Sequence, residues 1–249
     1  MQYGICHLSI VPIRISPSHQ SEMVSQVLYG EHFKILEERG KWSRIRLAFD
    51  ESEAWISNKQ HLRIEEEEYN SLLGQDLILS ADLLSYVVNK QGHLMAVPLG
   101  SSLNFVQKLQ HSFEGEISSG ISNKEKLVHS ALLYLNCPYC WGGKSPLGID
   151  ASGFTQMVYK LNGHRIKRTS EDQARQGLAL SFIEESEPGD LAFFDNNEGI
   201  IDHVGIMMQD NYIIHVDGMV RIDRIDHSGI FNVDLKRHTH KLRVIKKII

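Results

Sequence analysis

Cysteine is scarce in this sequence, three in 249 residues, too few for a disulfide framework in a chain of this size. No apolar run approaches the roughly 20 residues that a membrane-spanning helix needs. No Lys/Arg-dense segment offsets a formal net charge of -5, so electrostatics give no support for a nucleic-acid partner. A cationic or amine-bearing substrate is permitted. A charged n-region followed by an apolar h-region is also missing. Met1-Gln2-Tyr3-Gly4 runs straight into strand-like sequence, which reads as if an export signal had been trimmed and a start codon added. What is present is ordinary: 42% hydrophobic and 23% charged residues describe a soluble globular chain of one large or two to three small domains.

Residues 6 to about 64 read as short strands. The runs 8–14, 23–28, 32–36, 42–47 and 53–56 alternate apolar and polar side chains between Pro, Gly and acidic turns, which argues a small β-barrel. Trp42 and Trp55 read first as core, with Trp55 and Glu22 open to lining a cleft. Glu65 to Glu68 is a solvated charge run or short helix closing that barrel. A second set of strand-like runs, 77–79, 85–89 and 95–99, carries no signature of its own, and 114–122 looks like a linker. Residues 123–136 are amphipathic, with Leu127, Val128, Ala131, Leu132 and Leu135 on one helical face and Asn123 as a plausible N-cap. Thr169-Ser170-Glu171 opens a shorter helix. After Pro188-Gly189 the period becomes two, and 190–194, 202–208, 212–216, 219–222 and 242–245 read as an antiparallel sheet. Helices followed by sheet is the α+β order.

Between the two longer helices lies Trp141-Gly142-Gly143-Lys144-Ser145-Pro146-Leu147-Gly148-Ile149-Asp150-Ala151-Ser152-Gly153-Phe154. It has the form of a glycine-rich loop ending in a helix start, with Asp150 as N-cap and Phe154, Met157, Val158 and Leu161 at helical spacing. Residue 151 would sit in the first turn, where backbone N–H groups favour an anion and lower a thiol's pKa. Alanine uses none of that.

The run Tyr139-x-Trp141-Gly142-Gly143 with Gly148-x-Asp150-Ala151-Ser152-Gly153-Phe154 resembles the active-site segment of the NlpC/P60 cell-wall peptidases, which read Asp-Cys-Ser-Gly-Phe there. The position matching the family's nucleophilic cysteine is Ala151. Two explanations fit: a Cys→Ala substitution made to trap substrate, favoured because the flanking pattern is intact, or a natural pseudoenzyme. Residues 21–31, with Gly40-Lys41-Trp42 and Ala54-Trp55-Ile56, are similar to bacterial SH3 domains, which often accompany this family. The resemblance therefore implies a papain-like α+β domain over 117–249, preceded by two SH3-like barrels over 1–66 and 73–112, the second degenerate.

A cysteine hydrolase needs a thiolate, a histidine that takes and returns its proton, and a group that fixes the imidazole. Among thirteen histidines, His203 matches the family's His-Val-Gly-Ile motif and is assigned as base; without the resemblance a hydrogen-bonded core histidine would be the leading reading. His215, on the next strand, fits the orienting residue. The backbone N–H of residue 151 is the natural oxyanion donor. The resemblance further implies Tyr139 and Trp141 as substrate contacts, and Asp150 and Ser152, with Glu22 and Trp55 as possible helpers, as readers of a free L-Ala amine; Asp150 could equally be only an N-cap. The implied substrate is a peptidoglycan stem peptide or muropeptide with a free N-terminal L-Ala, cut between γ-D-Glu and the diamino acid. The implied location is the periplasm, envelope or exterior, with cytoplasmic recycling as the alternative. No cofactor is expected. Cys137-Pro138-Tyr139-Cys140 has the form of a glutaredoxin dithiol, but it ends a helix rather than beginning one. Zinc is disfavoured there because no second Cys pair or His-x-x-x-His spacing accompanies it.

Overall fold

Alternating side chains do build strands at the N-terminus, and they do so in one antiparallel sheet. In the computed structural model, which describes residues 1–249, β1 (Gln2–Ile5), β2 (Ile10–Arg14), β3 (Met23–Leu28), β4 (His32–Arg39), β5 (Trp42–Leu47), β6 (Glu53–Ser57) and β7 (Leu62–Ile64) take the order β3-β2-β6-β5-β4-β1-β7. The register sets Phe33 opposite Leu47 and Ile35 opposite Ile45. With period two these share one face, and they join Cys6, Val11, Ile13, Val27, Ala54 and Ile56 in a single core. The acidic run becomes α1 (Glu66–Leu73), whose start is a reciprocal capping box between Glu65 and Glu68.

Five further strands follow: β8 (Ile78–Ser80), β9 (Leu84–Val88), β10 (Leu94–Pro98), β11 (Ser112–Phe113) and β12 (Ile117–Ser119). They form two small sheets, β10-β9-β11 and β12-β8. Their core is not their own, because Tyr29 from the loop after β3 is buried among Val87, Val97 and Leu103. Gly30 follows at φ +75, and a Cβ there would come within 1.9 Å of the Ser102 carbonyl oxygen, so only glycine lets the two segments meet. The chain accordingly falls into two compact units, Met1–Ile121 with Trp141–Pro146, and Ser122–Cys140 with Leu147–Ile249. This corrects two boundaries read from sequence. The second module runs past 112, since β12 pairs with β8, and the glycine-rich loop packs with the N-terminal unit. There the Lys144 ammonium is fully buried 3.2 Å from the Glu31 carboxylate, and the Lys144 N–H donates to Gln26 Oε1 at 2.8 Å.

The C-terminal unit begins with α2 (Glu125–Leu132). The expected side-chain cap from Asn123 is absent; the helix starts from Lys124 in helical geometry, and that lysine's ammonium reaches Asp190 and Glu187. After the short β13 (Lys144–Ser145) and β14 (Gly148–Ile149) come α3 (Ala151–Leu161) and α4 (Ser170–Ala174), the latter capped by Thr169. All of α3 is buried, not one face only. Its polar residues are met inside: Thr155 Oγ1 donates to Gln173 Oε1 at 2.7 Å and the Tyr159 hydroxyl to the Gly189 carbonyl at 2.7 Å.

The sheet is wholly antiparallel. β15 (Leu178–Leu180), β16 (Leu191–Asp195), β17 (Ile201–Met207), β18 (Tyr212–Asp217), β19 (Met219–Asp226), β20 (Gly229–Asn232) and β21 (Arg237–Lys247) run in the order β15-β21-β16-β17-β18-β19-β20, and β20 also pairs with β21. Six strands therefore close on themselves around Ala192, Phe194, Met207, Ile213, Ile225, Ile230 and Ile245. The helix α3 packs on β17 and β18.

Candidate active site

Residue 151 opens α3. Asp150, in extended geometry, caps the helix by accepting the Gly153 N–H at 2.6 Å. Ala151 is thus the first helical residue, 7% exposed, at the positive end of the helix dipole. Asp150 has a second partner that sequence reasoning missed: Arg168, buried, grips both carboxylate oxygens at 3.0 and 2.7 Å and also donates to Ser152 Oγ at 3.0 Å. That bidentate pair fixes Asp150 and Ser152 on either side of residue 151. It also means that the carboxylate's charge is already met by a cation.

His203 lies on β17 and His215 on β18. The register puts His215 opposite Gly205, so the two histidines share a face as a diagonal pair. Gly205 makes the diagonal close: a Cβ there would meet Ile213 Cδ1 at 2.7 Å and His215 Cβ at 2.9 Å. His203 Nε2 and His215 Nδ1 are 3.0 Å apart, and His215 Nε2 is 3.1 Å from Asp223 Oδ2. Asp223, on β19, is completed by Arg221, whose Nε and Nη2 donate at 2.6 and 3.0 Å, and by the Val233 N–H. Burial alone would raise the Asp223 carboxyl, but the bonds from His215 and Arg221 outweigh it and hold it at about 2.

An ionised Asp223 decides every proton in this chain. It accepts from His215 Nε2–H, which leaves His215 Nδ1 with a lone pair; that lone pair accepts from His203 Nε2–H, and His203 Nδ1 is left with the lone pair at the end of the chain. Burial, with His240 and His215 beside it, keeps His203 well below the ordinary histidine range, so it rests neutral at pH 7. The His240 ring, on β21, stacks on His203 with centroids 4.0 Å apart and planes 24° from parallel.

The other residues singled out from sequence divide between the units. In the N-terminal unit Trp141, 59% exposed, donates its indole N–H to Glu22 at 2.7 Å. Trp55 is not part of that pair; it is buried on β6 with the Arg39 guanidinium over its ring. In the C-terminal unit Tyr139 is nearly half exposed, and burial of the remainder together with Asp150 and Cys140 raises its phenol. Cys137 and Cys140 lie between α2 and the loop, neither at a helix start, which removes the context for a redox dithiol. Burial pushes the Cys137 thiol up to about 11.

Arg168, Asp223, Arg221 and His240 were not found from sequence. Arg221 and Asp223 did leave a signal: two charges at spacing two in a strand-like run put both on one sheet face, and a charged pair on a face shared with buried histidines serves something. Arg168 and His240 left none, because each is brought in by tertiary packing.

Comparison with known proteins follows the same division. Residues 136–239 match the NlpC/P60 family, and residues 13–60 match the bacterial dipeptidyl-peptidase SH3 domain. The chain is 26% identical to a γ-D-glutamyl-L-lysine dipeptidyl-peptidase of Bacillus subtilis, over 77% of this chain and 71% of that one. It is 28% identical to dipeptidyl-peptidase 6 of Lysinibacillus sphaericus, over 80% and 82%. In fold it is similar to the crystal structure of an NlpC/P60 family protein from Bacillus cereus, with a TM-score of 0.80, 17% identity and 99% of each chain covered.

Proposed function

From the premise that the chain carries an NlpC/P60 domain, papain-like in fold, and a bacterial SH3 domain, we propose that it is the scaffold of a cysteine endopeptidase acting on peptidoglycan stem peptides. The bond cut by the active form is that between γ-D-Glu and the L-diamino acid, with position 151 as nucleophile, His203 as base and His215 as its orienting partner. The observation that carries this reading is the hydrogen-bonded chain Asp223–His215–His203 on strands that α3 packs against. A thiol at 151 would pass its proton to His203 Nδ1 and attack the scissile carbonyl. The residue 151 N–H would meet the oxyanion, and the His203 imidazolium would then protonate the leaving amine. Water admitted against the same base would release the acyl group.

With a methyl group at 151 the chain binds and does not cut. That favours the Cys→Ala trap or, as a second reading, a natural muropeptide-binding pseudoenzyme; the codon at position 151 separates the two. Residues 73–112, with the β12 strand that pairs with β8, are assigned to a degenerate second SH3-like module. Exported or envelope-associated action fits the substrate, with recycling of released peptides in the cytoplasm as the alternative. No helix is long and apolar enough to cross a membrane.

In the C-terminal unit Tyr139, Asp150 and Ser152 are assigned to substrate contact, with the free L-Ala amine as the group read; in the N-terminal unit Trp141, Glu22 and Trp55 are assigned, by themselves, as further substrate contacts. Because Arg168 already compensates Asp150, the amine's affinity there would come from hydrogen bonds more than from net charge. Calorimetry with L-Ala-γ-D-Glu-L-Lys tests the assignment on the chain as it stands. The expected result is saturable binding, peptide recovered intact, and much weaker binding of the N-acetylated peptide. No binding of either at millimolar peptide would remove the substrate reading, and equal binding of both would remove the amine.

A further inference from the structure

Three imidazoles converge around His203, and the peptidase chemistry uses two of them. His203, His215 and His240 each offer a ring nitrogen, all within 4.8 Å of one another. We propose that these three histidines form a binding site for a late first-row divalent cation of the zinc class, and that metal bound there disarms the base. The inhibitory half rests on the peptidase reading; the binding half does not.

The donor set is what such a cation takes. Neutral imidazole is a preferred ligand for zinc, cobalt and nickel, and no carboxylate or thiol in the set biases it toward hard or monovalent ions. A tetrahedral ion with Zn–N distances of about 2.0–2.1 Å separates its ligand nitrogens by about 3.3 Å. His203 Nε2 and His215 Nδ1, at 3.0 Å, are already close to that spacing. His215 is oriented as zinc-ligating histidines are, with its far nitrogen donating to a carboxylate, Asp223. His240 supplies the third nitrogen. Its Nδ1 lies 2.9 Å from the Thr239 hydroxyl, which can accept as well as donate, so Nδ1–H leaves Nε2 with the lone pair. His240 is less buried than the other two and turns out of its stack on His203 to aim at the ion. A fourth position stays open to water or an anion.

Binding has a consequence for the proton. The hydrogen between His203 Nε2 and His215 Nδ1 must leave, since both nitrogens now donate lone pairs to the metal. In neutral His203 it moves to Nδ1. That nitrogen then carries N–H where the base needs a lone pair, so the metal-loaded enzyme cannot take the thiol's proton. No redox step is involved and charge is conserved within the ring.

Cobalt(II) titration of the untagged chain with Ala at 151 tests the site without turnover and without a thiol at 151. The expected result is one equivalent bound, with the strong visible d–d absorption of a tetrahedral ion, displaced by zinc. His240→Ala should abolish the tetrahedral spectrum and weaken binding at least about tenfold, while Asp223→Asn should weaken it about 10- to 100-fold. His238→Ala, which alters an exposed histidine paired with Asp226, should leave it unchanged. Absence of the tetrahedral band at excess cobalt, or a band that survives His240→Ala in folded protein, would overturn the proposal. Failure of catalysis in a thiol-restored variant would leave it standing, so the two claims fall separately.

Discussion

At the scale of single residues, one carboxylate sets the direction of a proton chain. Asp223 holds its charge because Arg221 and His215 both donate to it, and that charge makes His203 Nδ1 the acceptor. In an Ala151→Cys background His203→Ala should cost the larger share, because the base serves two proton transfers, each worth about 10² to 10⁴ in rate. His215→Ala should leave measurable turnover, and Asp223→Asn should fall between Ala151→Cys alone and its His203→Ala double variant, since an amide can hold His215 in either tautomer. Steady-state rates on the tripeptide give the order, and equal losses from His203→Ala and His215→Ala would remove the division of roles. A second prediction concerns the native thiols. Burial pushes Cys6 up to about 12 and Cys137 up to about 11, whereas Cys140 is only partly buried. Iodoacetamide at about pH 7.5 (roughly one unit below the free thiol's pKa of about 8.5) should label Cys140 first, read by peptide mass mapping; labelling of Cys137 ahead of it would contradict the burial described for the loop.

At the scale of elements, the histidine diagonal depends on a strand position with no side chain. Gly205→Ala would press a methyl against Ile213 and the His215 Cβ. Overpacking of this kind costs about 1–3 kcal/mol, and it should move His215 off His203, so urea unfolding and activity of the thiol-restored form should fall together. Retained stability with full activity would show that the strands adjust freely. The strand-like runs after residue 189 were legible and became β16 to β19 and part of β21, because short stretches rich in β-branched and aromatic residues lie between turn-forming ones. β15 and β20 were not: they are three and four residues long, and β15 pairs with β21 far along the chain, a partner that local pattern does not reveal, whereas β20 is too short to stand out although it pairs locally with β19. The Asp150 cap and the start of α3 were readable from local chemistry. The burial of α3 on every side was not, since Gln156 and Lys160 look like a solvent face in the sequence and are buried in the structure.

At the scale of the whole chain, the loop that carries Trp141 and Lys144 belongs with the N-terminal unit, although sequence assigned it to the C-terminal domain. The cause is the buried pair between Lys144 and Glu31, residues 113 apart in sequence, a contact with no local signature. Breaking one side of such a pair strands the other charge, so Glu31→Ala should destabilise the N-terminal unit by about 3–5 kcal/mol, and Glu31→Met with Lys144→Met should recover much of it. Thermal unfolding followed by the N-terminal tryptophans reports this; a silent Glu31→Ala would mean that the pair does not hold the loop.

If the chain is, as proposed, a peptidase wanting a single sulfur atom, restoring that atom restores hydrolysis. Mass analysis of L-Ala-γ-D-Glu-L-Lys incubated with Ala151→Cys, beside Ala151→Cys combined with His203→Ala, tests it most directly. The first should give L-Ala-γ-D-Glu and free lysine, and the second a rate at least about 10²-fold lower. Intact tripeptide after long incubation with folded Ala151→Cys, or equal rates from the two variants, would contradict it.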